Sequence, residues 1–88
     1  MKIYRLYTEN KHRSFIEHLV ARYFSGFTIY KAIGYWQGKK EKSLVIEIVS
    51  DSGGAYVFIN LICKAICGYN KQQTVMVLTS EINSEFKG

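Results

Sequence analysis

Residues 27–36, FTIYKAIGYW, carry a two-residue period. Phe27, Ile29, Lys31, Ile33 and Tyr35 fall on one side of an extended chain, and Thr28, Tyr30, Ala32, Gly34 and Trp36 on the other. Residues 43–50, SLVIEIVS, repeat the pattern, with Leu44, Ile46 and Ile48 opposite Val45, Glu47 and Val49. The intervening Gln37 to Lys42 is polar and contains Gly38, which predicts a turn and an antiparallel hairpin. Gly34 inside the first arm points to a bulge or a close backbone approach. Two further strands are expected at residues 2–8, KIYRLYT, and 72–79, QQTVMVLT.

Between the strands the period changes to that of a helix. Phe15, Ile16, Leu19, Val20, Tyr23 and Phe24 form one stripe of a helix over residues 11–24. Asn10 or Thr8 is the expected N-cap, and Gly26 suits a left-handed stop. A second helix is expected over residues 55–68, with Ala55, Phe58, Ile59, Ile62 and Ile66 toward the core. Val57, Leu61, Cys63 and Cys67 lie off that stripe, and Lys64 is its only charge. A helix apolar nearly all round wants burial on two sides, which predicts self-association. Gly68 is expected to open the turn that follows.

The element order βαββαβ predicts an α+β, ferredoxin-like plait: a four-stranded antiparallel sheet with two helices on one face. The other sheet face is then open, or covered by another subunit. With 88 residues the chain makes one domain, placed at 1–80, with a short tail at 81–88 anchored only by Ile82 and Phe86. Its 48% hydrophobic and 22% charged residues fit a folded chain rather than a disordered one. No apolar run approaches the roughly 20 residues of a membrane span, and the first residues lack a signal-peptide core. A soluble, cytoplasmic protein is the expectation. Cys63 and Cys67, four apart on a helix, suit reduced thiols better than a disulfide. No metal or cofactor motif is present, because His12 and His18 are distant from the cysteines in sequence.

The formal net charge of +5 favours anionic partners. Lys11, His12, Arg13, His18 and Arg22 belong to the first helix, and Lys39, Lys40 and Lys42 to the hairpin. Tyr30, Tyr35 and Trp36 stand beside those lysines. Stacking rings next to ammonium groups suit a flat anion such as a nucleotide. Against this stands plain packing of the rings on a subunit interface and a solubilising lysine turn. Arg5 is a phosphate-fork candidate if unpaired, whereas Arg5–Glu47 or Lys31–Glu47 is the cross-strand alternative. Ser52-Gly53-Gly54 offers backbone N–H groups to a phosphate but lacks the continuation of a P-loop, and reads better as a turn.

The plait has many hosts. The third strand has no aromatic and no RNA-recognition signature, and the acylphosphatase pattern is missing too. No serine, cysteine and histidine grouping supplies a nucleophile and base, so no catalytic residue is assigned. In element order and long central hairpin the chain resembles the PII-like and CutA-like small oligomeric proteins. That resemblance implies trimers with ligands in clefts between subunits. The segments GFTIYKAIGYWQG and KSLVIEIV also look like small uncharacterised bacterial and phage domains.

These readings converge on a non-enzymatic homo-oligomer that binds an anionic nucleotide or nucleotide-derived signal at subunit junctions. Arg5, Tyr30, Tyr35, Trp36, Lys39, Lys40 and Lys42 are the candidate ligand-binding residues. In a phage the same chemistry would suit a sponge for a host immune signal. Nucleic-acid binding through the basic first helix and hairpin is one alternative. A cyclic-nucleotide-cleaving enzyme using His12 or His18 is the other.

Overall fold

The computed structural model describes all 88 residues. In order they form β1 (Lys2–Glu9), α1 (Arg13–Tyr23), β2 (Thr28–Trp36), β3 (Lys39–Ser50), α2 (Ala55–Asn70) and β4 (Met76–Glu81). The sheet order is β2-β3-β1-β4 and every pairing is antiparallel. This is the expected ferredoxin-like plait, with both helices on one face.

Register decides which residues meet. Tyr4, Leu6 and Thr8 oppose Ile48, Ile46 and Leu44, so the apolar sides of the two central strands face the helices together. Ile16, Leu19 and Val20 of α1 and Ala55, Ile59, Ile62 and Ile66 of α2 close on them. Each buried valine, leucine or isoleucine among them contributes about 1.5–3 kcal/mol by leaving water. The odd-numbered residues of β1 and β3 point away from the helices. Arg5 opposes Glu47 there, and Tyr7 opposes Val45. Val45 is buried even on this open face, with Tyr7 and Tyr30 as its register neighbours.

Several boundaries differ from the sequence expectation. β3 begins at Lys39, not at residue 43, because the turn is only Gln37-Gly38, both at positive φ (51° and 77°). Two left-handed residues give a turn whose twist matches the flanking strands, so pairing continues to the tip. Gly34 makes no bulge: it pairs regularly with Glu41, and a Cβ there would meet only Ser43 Oγ at 3.5 Å. Gly26 is not a left-handed stop. α1 ends as Phe24 turns extended, which sets its ring edge-on to Phe58 with centroids 6.1 Å apart. Neither Asn10 nor Thr8 caps α1, since left-handed His12 occupies the N-cap position without a side-chain cap. Gly68 lies inside α2, which runs on to Asn70 because that side chain is buried and bonded on both sides. β4 is displaced toward the C-terminus, from 72–79 to Met76–Glu81, since Gln72 is taken up by Asn70 and Thr8. Ile82 N–H then donates to Met1 O, and Phe86 in the tail is fully exposed.

Candidate functional site

The β2–β3 hairpin outgrows the sheet. The β1–β3 ladder stops at Glu9 and Ser43, whereas β2 and β3 stay paired from Ile33–Lys42 to Trp36–Lys39. Residues 33–42 therefore project as a two-stranded arm. On it Ile33, Tyr35 and Trp36 are 58%, 72% and 67% exposed. A two-stranded ribbon is marginal in water by itself. This one presents its largest apolar groups to solvent, as a surface awaiting a covering partner does.

Because cross-strand partners share a face, the arm sorts the candidate residues into two groups. Trp36 and Lys39 are directly opposed on the open-sheet side, which Tyr30 also occupies. Tyr35 opposes Lys40 on the helix side, next to the Ile33–Lys42 pair. The three lysines are exposed and lie on a strand rather than in a loop. The structure thus offers two ring-and-ammonium pairs, one on each face of the ribbon.

Arg5 joins the first group through Glu47. Arg5 Nε–H donates to Glu47 Oε2 at 2.9 Å, and Tyr30 O–H donates to the same oxygen at 3.0 Å. The cross-strand pair is therefore the Arg5–Glu47 one, while Lys31 opposes Leu44 on the other face. Hydrogen bonds from Arg5 and then Tyr30 hold the Glu47 carboxyl below its ordinary range, outweighing desolvation. The same bond raises the Arg5 guanidinium and the Tyr30 phenol, since losing either proton would sacrifice the bond to the carboxylate. Arg5 is a paired group whose terminal N–H groups are not engaged by Glu47 through the Nε bond.

The first helix is less free as a cationic stripe than its sequence implies. Arg13 bonds Glu17 at 2.8 Å, and Lys11 lies 3.4 Å from Glu9. His18 Nδ1–H donates to Ser14 O at 2.7 Å. Cys63 and Cys67 are free and half-buried, and burial pushes the Cys63 thiol up to about 11. No group of three or more metal-ligating side chains is present. No helix is long and apolar enough to cross a membrane.

Sequence reasoning treated Tyr69-Asn70-Lys71 as a plain turn and missed a polar cluster there. Thr8, Gln72, Asn70 and His12 are hydrogen-bonded in series at the end of the fold where α1 starts and α2 stops. The one signal in the sequence was Asn70 itself, an amide side chain inside the expected turn that follows an almost wholly apolar helix.

No protein-family model matches this sequence, and no curated protein is a detectable relative. Solved structures do match. A DUF3240 family protein from Shewanella baltica OS155 superposes with a TM-score of 0.74 at 14% identity, over 98% of this chain and 93% of that one. CPII from Thiomonas intermedia K12, solved with ADP, AMP and acetate, gives 0.60 at 15% identity over 97% and 88%. The PII-like protein CutA from Nostoc sp. PCC 7120, in apo form, gives 0.57 at 16% identity over 94% and 82%. At these identities it is the fold alone that is shared, and that fold is the ferredoxin-like plait of the PII-like and CutA-like proteins.

Proposed function

We propose that this chain is a non-enzymatic, homo-oligomeric binding protein. It holds an anionic nucleotide or nucleotide-derived signal at junctions that the β2–β3 arm forms with a neighbouring subunit. The observation that carries this reading is the projecting arm itself, whose exposed rings Trp36 and Tyr35 each face a lysine across the ladder. A ring supplies contact area for a base, and an ammonium group compensates phosphate charge. The fold likeness to CPII, a protein solved with ADP and AMP, is compatible with this reading. Seated on a neighbour, the arm would cover its own apolar groups and enclose the ligand at the same junction. A protein that holds such a signal without converting it would act by sequestration. In a phage the target would be a host immune signal.

The test joins native mass spectrometry of protein purified from its host with calorimetry. An oligomer carrying a ligand of nucleotide mass is the expected result. Titration with AMP, ADP, cyclic dinucleotides and cyclic ADP-ribose isomers should give saturable heat with at least one of them. Trp36→Ala or Lys39→Ala should weaken that binding about tenfold or more. A bare monomer that gives no heat with any of these at about tens of micromolar would sink the reading.

A further inference from the structure

We infer that each subunit carries a second, self-contained anion site, where the start of α1 meets the end of α2, and that it takes a phosphate monoester or free phosphate. The site needs no neighbouring subunit and stands apart from the arm. It is a groove of about 680 Å³ lined by Lys11, His12, Tyr69, Asn70 and Lys71. No carboxylate is among its lining residues. Glu9, outside the lining, holds Lys11 in an exposed pair at 3.4 Å. Such a pair is weak and yields readily to a better anion. Lys71 is exposed and forms no salt bridge.

The decisive feature is the His12 imidazole, which lines the groove together with Lys11 and Lys71. Its proton position follows from the hydrogen-bond chain behind it. Gln72 Nε2 donates to Thr74 O at 2.8 Å, so Gln72 Oε1 is an acceptor. It accepts from Thr8 Oγ1 and from Asn70 Nδ2, both at 3.0 Å. Asn70 has then committed its amide N–H, and its Oδ1 must accept from His12 Nδ1–H at 2.8 Å. Thr8 and Asn70 are each only 4% exposed, so this chain is rigidly held. His12 is thereby locked as the Nδ1–H tautomer, with Nε2 unengaged. It also meets the Tyr69 ring edge-on at 4.8 Å, while Phe15 stacks on one face of that ring at 3.8 Å.

A phosphate in the groove would meet complementary groups on Lys11, Lys71 and His12. Lys11 and Lys71 supply charge, as mobile ammonium groups do for phosphates. His12 Nε2 accepts from a singly protonated phosphate, or takes up a proton and donates to the dianion. The half-exposed Tyr69 lines the same groove and would border the base, should the phosphate belong to a nucleotide.

The experiment is an NMR titration of the full-length protein with inorganic phosphate, AMP and adenosine at constant ionic strength. Phosphate should give saturable shifts at Lys11, His12 and Lys71, and should move the His12 Nε2 resonance. Lys71→Ala and Lys11→Ala should each weaken it about tenfold, whereas Lys64→Ala, with the same loss of charge, should not. AMP binding more tightly than phosphate with a shift at Tyr69 assigns the site to nucleotides. Equal affinity without that shift assigns it to free phosphate. If Lys71 serves only the α2 terminus, Lys71→Ala lowers thermal stability and leaves the titration unchanged, which overturns the proposal. Non-saturating shifts, or adenosine matching AMP, overturn it too. Shifts confined to the arm would support the arm reading and remove this one, so the two fail separately.

Discussion

Glu47 shows how one carboxylate organises the open face of the sheet. Its Oε2 accepts from Arg5 and Tyr30 together, and their bonds hold its carboxyl below the ordinary range. A depressed folded-state value contributes stability that is present above the unfolded value. That contribution is lost as pH falls through the folded one. Wild-type stability should therefore decline below about pH 4. Glu47→Gln should be less stable than wild type at pH 7 and show a shallower acid decline. Urea melts at the two pH values check this. The same bond predicts that Tyr30 ionises above the usual phenol value of about 10 and moves back toward it in Glu47→Gln, by ultraviolet titration. Cys63, pushed up to about 11 by burial, should alkylate slowly at pH 8 and become reactive when urea opens the chain.

At the level of the element, the hairpin turn is the sharpest dependence on one residue type. Gly38 sits at φ 77° with open space around its Cα, so only backbone conformation opposes a side chain there. Gly38→Ala should cost about 1 kcal/mol and fray the arm tip, read as faster amide exchange at Trp36 and Lys39. Gln37→Asn should be neutral or stabilising, because asparagine adopts positive φ more readily. In α2 the buried stripe carries the packing. Ile62→Ala should cost about 2–5 kcal/mol in urea melts, and Leu61→Ala, one residue round the helix and exposed, far less.

The whole molecule is thin for its apolar content. Beyond the arm, Val49, Met76 and Leu78 on the open sheet face are exposed, as are Tyr56, Val57 and Leu61 on the outer side of α2. A chain that buries so little of these surfaces is expected to gain stability from a second copy, so its melting temperature should rise with protein concentration. Removing the arm, by joining Ala32 to Ser43 through Asn-Gly, tests where the copies meet. The core lies below the arm, so the shortened chain should still fold. A drop to monomer mass by light scattering is the expected outcome. An unchanged mass would assign the contact to the sheet face or to α2.

Much of this fold was legible before any coordinates. The two-residue periods at β2 and β3 and the helical stripes at α1 and α2 placed four of the six elements, because burial demands such periods locally, and residue type placed β1 and, a few residues early, β4. The faces of β2 followed from parity alone, and so did the separation of Tyr35 from Trp36. What sequence could not decide depended on partners distant along the chain. Lys39 and Lys40 read as turn residues until a two-residue turn drew them into the ladder. Glu47 had two possible basic partners, and only register chose Arg5. Asn70 ends α2 because His12, 58 positions away, and Gln72 bond its buried amide. Local periodicity records which side of an element is buried, whereas register and polar satisfaction are set only when elements meet.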